Sequence, residues 1–288
     1  MPCTIVQSYG EGGLCAGAQR ASAAELAEIA PGLAGAGYRG IELHPHHLAA
    51  LDADASVRRR LTEALEGAGL RVAAVYGGVP ADAASVELVR ARIDAAARVG
   101  ADVVFVVPPS RRGFTLAQTA DRMRELGGRA GELGLSLAVH NHAGTAVTTV
   151  AESLRLLELV DTAQVGLCLD VAHLALFEDD LAEAVGRLAP VTVYLHLKDL
   201  EDWARPRMQE LRGDTLKEVA GLTLAYTDLG AGALDLPALA GALRAVGPVW
   251  TAIEMETLRA ATVLEQCTLN AAAYRELVGA PIARSPMR

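Results

Sequence analysis

The run Thr192-Val193-Tyr194-Leu195-His196-Leu197-Lys198-Asp199 ends an apolar stretch in an imidazole, an ammonium and a carboxylate. These groups bind metal ions, hold substrate oxygens and move protons. The apolar half is short and rich in β-formers, so it reads as a buried strand on which Tyr194, His196 and Lys198 share a face. Lys198 and Lys217 are the only lysines in the chain, which sets apart a lysine two places beyond a strand-end histidine. The other histidines repeat the pattern. His44, His46 and His47 follow one apolar run, His140 and His142 end another, and His173 follows a third. Glu42, Asp170 and Glu254 stand at the ends of similar runs, and this reading puts no histidine on a helix.

Those runs alternate with helical patterns. Strands are expected at 3–7, 39–44, 71–76, 102–107, 135–140, 164–170, 192–199 and 249–254. Between them, the Ser22-x-x-Glu25 pattern is a capping box opening a helix that closes at Gly35-Ala36-Gly37. Further helices are expected at 57–65, 84–98, 116–133, 149–160, 180–188, 236–246 and 262–278. A longer mixed segment runs from strand seven to about Gly232. Continuous apolar strands are those of a buried parallel sheet, and eight strand–helix units about thirty residues apart predict a (β/α)₈ TIM barrel occupying residues 1–288 as one domain. An open doubly wound sheet would need a Gly-x-Gly-x-x-Gly turn after a strand, and none follows a strand here.

In such a barrel the strand ends meet at one mouth. His140, Asp170, His196 and Glu254, one from each of four strands, would converge there. Mixed nitrogen and oxygen ligands suit one divalent cation, Mn²⁺, Co²⁺, Zn²⁺ or Mg²⁺. Alone, each of these residues reads as a hydrogen-bonded interior group; together they make a metal site.

Composition narrows the partners. The net charge of −9 opposes a nucleic-acid ligand, which needs a clustered cationic surface. No apolar run reaches a membrane span, no basic leader precedes the first apolar residues, and Cys3, Cys15, Cys168 and Cys267 are spread without a C-x-x-C pair, so a cytoplasmic protein with reduced thiols is expected. The glycine-rich stretch Tyr9 to Gly17 lacks the Gly-Lys-Ser/Thr of a P-loop and reads as a lid or a plain loop. Ser110-Arg111-Arg112-Gly113 reads either as an anion contact or as solvated surface. The Ala-rich last helix offers a face to a second copy, making a homo-oligomer a candidate assembly.

Five stretches occur in an order that resembles the sugar phosphate isomerase/epimerase superfamily of xylose isomerase-like barrels. They are Gly37-Tyr38-Arg39-Gly40-Ile41-Glu42-Leu43, His140-Asn141-His142-Ala143-Gly144-Thr145, Gly166-Leu167-Cys168-Leu169-Asp170-Val171-Ala172-His173, His196-Leu197-Lys198-Asp199 and Ile253-Glu254. The resemblance spans nearly the whole chain and implies metal ligation by Asp170, His196 and Glu254. Epimerases of the superfamily carry a glutamate at the position of His140, where it also serves as one of two opposed bases. This sequence departs there and shares His-x-His-x-Gly-Thr with inosose dehydratase-like members, the nearest branch.

The resemblance implies proton removal beside the carbonyl of a polyol, sugar or cyclitol ketone. Glu254 or His142 is the expected base, and Lys198 or His173 the donor to a substrate oxygen. Glu42 orients a ligand or a substrate hydroxyl, with His44, His46, Trp203 and Arg205 around the substrate. The lost carboxylate at position 140 tilts the expectation from isomerisation or epimerisation towards elimination of water. Competing readings are a 3-keto-glycoside-eliminating enzyme, a non-catalytic sugar-binding barrel and an apurinic endonuclease.

Overall fold

The computed structural model describes residues 2–5, 21–211, 215–219, 222, 225–254 and 258–278. Its strands are β1 (Pro2–Ile5), β2 (Gly40–Leu43), β3 (Arg71–Gly78), β4 (Val103–Val106), β5 (Ser136–His140), β6 (Val165–Asp170), β7 (Thr192–Leu197), β8 (Asp199–Leu200), β9 (Tyr226–Thr227) and β10 (Trp250–Glu254). All but β8 and β9 run parallel and close into a barrel in the order β1-β10-β7-β6-β5-β4-β3-β2. The helices are α1 (Ala23–Ala36), α2 (Pro45–Ala53), α3 (Ala55–Ala68), α4 (Ala83–Arg98), α5 (Leu116–Glu132), α6 (Val150–Glu158), α7 (Val171–Ala175), α8 (Leu181–Leu188), α9 (Ala204–Glu210), α10 (Leu216–Val219), α11 (Leu236–Val246) and α12 (Val263–Val278). The expected (β/α)₈ barrel is therefore the observed architecture. No helix among the described residues is long and apolar enough to cross a membrane.

Two cores hold the barrel. Between strands and helices lies an aliphatic shell that includes Leu33, Val75, Ile93, Met123, Leu137, Leu167 and Leu195. Inside the barrel, Ala73, Ala74, Ala138 and Ala252 leave room for Phe105, Tyr194 and Trp250. The inward side chains thus fill the lower barrel, and Glu42, His140, Asp170, His196 and Glu254 stand at or near the C-terminal ends of their strands. Trp250 closes the floor, its indole N–H donating to Asp102 at 2.6 Å.

Sequence and structure differ in a few elements. The capping box at Ser22 is present, with Glu25 N donating to Ser22 at 3.2 Å. His46 and His47, however, lie on α2 and His173 on α7, so the expectation that helices carry no histidine is corrected. Helix α2 has no apolar periodicity to announce it. It starts because Pro45 occupies its first turn and His44 N donates to His47 Nδ1 at 2.9 Å. Helix α3 begins two residues before the expected 57, because the Asp54 carboxylate accepts from Ser56 N at 2.7 Å and caps it. Val6 and Gln7 of the expected first strand and the glycine-rich stretch with Cys15 lie outside the described residues.

The mixed segment after β7 is a small subdomain over the mouth. Strand β8 pairs antiparallel with β9. Around this pair, Leu200, Ala204, Met208, Val219, Leu222, Ala225 and Tyr226 bury themselves against Ala143, Ala172 and Leu176, which follow β5 and β6. Gly144 makes the closure tight. Its φ is +80° and a Cβ there would stand 2.5 Å from the Thr215 carbonyl oxygen.

Candidate metal and proton-transfer site

Strand alternation and register bring the predicted residues together. Asp170 pairs with His196 across β6 and β7, His196 with Ala252 across β7 and β10, and His140 with Cys168 across β5 and β6. His140, Asp170, His196 and Glu254 end up with one ligating atom each within 4.8 Å of one another, all of them buried. His196 Nδ1 faces Glu254 Oε2 at 3.2 Å and Asp170 Oδ2 at 4.0 Å. Its Nε2 faces Glu42 Oε2 at 3.2 Å, and the Tyr194 hydroxyl donates to that same oxygen at 2.6 Å. Glu42 Oε1 in turn meets His44 Nε2 at 3.1 Å.

Lys198 lies deeper than expected. A lysine two places beyond a strand-end histidine is expected at the barrel mouth, but the residue is 1% exposed. Its Nζ stands 2.6 Å from Glu254 Oε2, 3.0 Å from Asp170 Oδ2 and 4.3 Å from the centre of the Tyr226 ring. The subdomain after β7 roofs it and turns it inward.

These charges set one another. Burial alone would raise the Asp170 and Glu254 carboxyls, but Lys198, with His140 beside Asp170 and His196 beside Glu254, holds both well below the usual range. Burial likewise opposes ionisation of Glu42, and His196 reverses it. Burial also opposes charge on His196, yet the Cys168 sulfur and the Glu42 and Glu254 carboxylates hold its pKa well above the usual value. Three carboxylates, Glu42, Asp170 and Glu254, outnumber Lys198 and His196, so the cavity carries an excess of negative charge whether or not His196 is protonated. Asp170 Oδ2 accepts no hydrogen bond of acceptable geometry and His140 Nδ1 has no partner. Under-served buried donors of this kind, in an excess of negative charge, fit a divalent cation.

Beside this cluster sits a pair of histidines with opposite tautomers, both set by Ala143. His142 Nδ1 lies 2.7 Å from the Ala143 carbonyl oxygen and must donate to it, leaving Nε2 with its lone pair. The Ala143 amide N–H donates to His173 Nδ1 at 3.4 Å, which leaves the proton of His173 on Nε2. The two rings pack at 3.8 Å. Both stay neutral: burial and then His140 bring His142 down to about 3, and burial and then His142 hold His173 well below the usual value. His142 is the partly open member, while His140, His173 and His196 are buried.

Other predicted residues stand apart. His46 packs on His47 at 3.8 Å and faces the Ala21 carbonyl oxygen at 3.3 Å. Trp203 is 42% exposed and Arg205 pairs with the exposed Asp179, so the structure does not bring them to the cluster. Arg111 pairs with Glu152 at 2.7 Å. Three contributors were given no role by the sequence reading. Asn141 clasps the Asp170 backbone, donating to its carbonyl oxygen at 3.0 Å and accepting from its N–H at 2.7 Å. Tyr194 supports Glu42, and Tyr226 reaches both Lys198 and His173. Tyr194 carried a signal in sharing the face of His196 and Lys198, and Asn141 in standing between two strand-end histidines; Tyr226 carried none.

With this geometry in place, a family model described as xylose isomerase-like TIM barrel matches residues 32–276. The chain belongs to the xylose isomerase-like TIM barrel family. Within that family it is similar to the inosose dehydratase of Lacticaseibacillus casei, 31% identical over 136 residues that make up 47% of this chain and 41% of that protein. The chain thus matches less than half the length of that curated relative. In fold it is similar to the IOLI protein crystallised with a zinc atom, with a TM-score of 0.71 at 17% identity over 96% of this chain and 97% of that one. It is also similar to the probable 3-DHS dehydratase AsbF of Bacillus anthracis, with a TM-score of 0.69 at 14% identity over 86% and 92%. At these identities the xylose isomerase-like fold is what the structures share.

Proposed function

We propose that the protein is a divalent-metal-dependent lyase that removes water from a sugar-like or cyclitol ketone. The observation that carries this reading is the juxtaposition of the four-ligand cluster with the lone pair of His142 Nε2. His140, Asp170, His196 and Glu254 would hold the ion. His196 would use Nδ1, leaving Nε2–H to donate to Glu42, so that a carboxylate orients the ligand from behind. The ion, when bound, supplies a Lewis acid that polarises the substrate carbonyl and makes the neighbouring C–H more acidic.

The remaining work falls to the protein. His142 Nε2 takes the α-proton, and as an imidazolium returns it to the β-hydroxyl on the same face. The C–H and C–O bonds break, a C=C bond conjugated to the carbonyl forms, and the hydroxyl leaves as water carrying the proton that His142 took. His173 Nε2–H and Lys198 donate hydrogen bonds to substrate oxygens. Epimerisation needs a second base on the opposite face. The family's glutamate is a histidine at position 140, and Glu254 is already bound to Lys198 and His196. The inosose dehydratase relatives and the probable 3-DHS dehydratase neighbour support elimination.

The test is isotope exchange together with product analysis. Keto-cyclitols and ketoses incubated with protein and Mn²⁺ in D₂O should lose the α-hydrogen and give an unsaturated or diketone product. No exchange across a broad panel, in protein shown to carry stoichiometric metal, would sink the reading. Retention of every hydroxyl with scrambling at one carbon would make the enzyme an epimerase. Glu42→Gln tests the orienting carboxylate separately. Metal affinity measured by titration calorimetry should fall about 10- to 100-fold, and an unchanged affinity would remove Glu42 from that role.

A further inference from the structure

We propose that Tyr226 is a positioning residue that holds His173 in its proton-presenting tautomer through its hydroxyl and holds Lys198 through its ring. Tyr226 belongs to β9, in the subdomain after β7, and is 6% exposed. Its hydroxyl lies 2.9 Å from His173 Nδ1 and further, at 3.4 Å, from Nε2. The Ala143 N–H points at that nitrogen, so Nδ1 is an acceptor, and the hydroxyl shares its single lone pair from the nearer position. Both donors favour the form of His173 whose proton is on Nε2. The Ala143 contact alone is long, at 3.4 Å, so the tyrosine is the nearer and stronger constraint.

The ring has a separate job. Its face lies 4.3 Å from Lys198 Nζ, within reach of a cation–π attraction that strengthens in a desolvated site. Glu254 and Asp170 grip the ammonium from the barrel side, and Tyr226 covers it from the roof. One residue of the roof thereby fixes both His173, the donor proposed for a substrate oxygen, and Lys198, which stays between the two carboxylates and the ring. The fixed geometry in the structure points to Tyr226 whatever the reaction is; the kinetic consequence rests on the elimination proposed above.

Tyr226→Phe keeps the ring and loses the hydroxyl, whereas Tyr226→Leu loses both. The first readout is ¹⁵N NMR of the histidine rings in full-length protein loaded with Mg²⁺ or Zn²⁺. Wild type should show His173 protonated at Nε2, with Nδ1 as a hydrogen-bonded acceptor. In Tyr226→Phe the Nδ1 signal should move to that of a weakly bonded acceptor, with the Nδ1–H form appearing. A wild-type His173 protonated at Nδ1, or spectra that Tyr226→Phe leaves unchanged, would overturn the proposal. The second readout is kinetic. Tyr226→Phe should slow elimination by up to about 100-fold, while metal affinity and α-hydrogen exchange stay within about 2-fold of wild type, and Tyr226→Leu should be slower again. Equal loss of exchange and elimination in Tyr226→Phe would count against a positioning role. Wild-type protein that turns over no substrate would sink the lyase reading alone, because the NMR result still decides the role of Tyr226.

Discussion

Asp170→Asn should leave a folded protein that has lost its divalent ion and its turnover. Asp170 is fully buried and its Oδ1 caps α7, accepting from His173 N at 2.9 Å. An asparagine oxygen can keep that bond, so the helix start survives. The charge cannot be replaced. Oδ2 is the oxygen without a hydrogen bond in the cluster, and it faces His140 Nε2 at 3.4 Å and Lys198 Nζ at 3.0 Å. Bound metal by elemental analysis should fall from stoichiometric to trace, and activity by more than about 100-fold. A variant that keeps one tightly bound ion would show that Asp170 is not a ligand.

The same substitution has a stability signature with a definite sign. Taking one partner from a buried ion pair costs about 3–5 kcal/mol, here moderated because Glu254 still holds Lys198. The folded protein holds the Asp170 carboxyl well below its ordinary value of 3.8, because Lys198 and His140 outweigh the effect of burial. A lowered carboxyl contributes stability above that ordinary value and loses the contribution as pH falls below it. Urea unfolding of metal-free protein should therefore show a gap between wild type and Asp170→Asn at pH 7 that narrows below about pH 4. A gap that widens on acidification would contradict this account of the charges.

Asp199→Ala should be the most damaging change in the same motif that touches neither metal nor substrate. The carboxylate is fully buried and accepts from Leu200 N at 2.8 Å, Gly230 N at 3.0 Å and Leu234 N at 3.1 Å. It ties β8 to the return of the chain beyond β9. Gly232 packs so closely on it that a Cβ there would stand 2.4 Å from Asp199 Oδ1. Alanine would strand three backbone donors, at about 1–3 kcal/mol each where water cannot reach them. A loss of about 3 kcal/mol or more in urea unfolding is expected, with Tm lower by roughly 5–10 °C. Asp199→Asn, which keeps the Oδ1 acceptor for two of the three donors, should recover part of the loss. Wild-type stability in the alanine variant would refute the anchoring role. Tyr226 enters the site from β9, so the alanine variant should also slow turnover through the loosened roof.

Much of the barrel was legible because parallel strands covered on both faces read as unbroken apolar runs. Values such as Val103–Val106 and Val165–Asp170 for β4 and β6 fall inside the expected runs. Elements without that pattern were not legible. Helix α2 is set by a proline and a histidine contact rather than by periodicity, and α7 is five residues long and held by one carboxylate cap. The β8–β9 pair is joined by contacts more than twenty-five residues apart in sequence, which no local window can see.

For the site the division is sharper. Sequence alone determined which polar side chains interrupt the apolar strands and on which face they lie: Glu42, His140, Asp170, His196 and Glu254 each fall at the end of a buried run, and strand alternation aims them inward. The resemblance to the superfamily also implied an imidazole at position 140 in the place of the epimerases' carboxylate. Only the tertiary structure decided how these groups are used. Lys198 is folded under a roof and between two carboxylates, His196 has one nitrogen towards the cluster and the other towards Glu42, and His142 and His173 carry their protons on opposite nitrogens. The physical reason is one of range. Facing depends on the pleat, which repeats every two residues, whereas protonation and orientation depend on groups a few ångströms away in space, and Tyr226 or the backbone of Ala143 reaches those positions only once the barrel has closed.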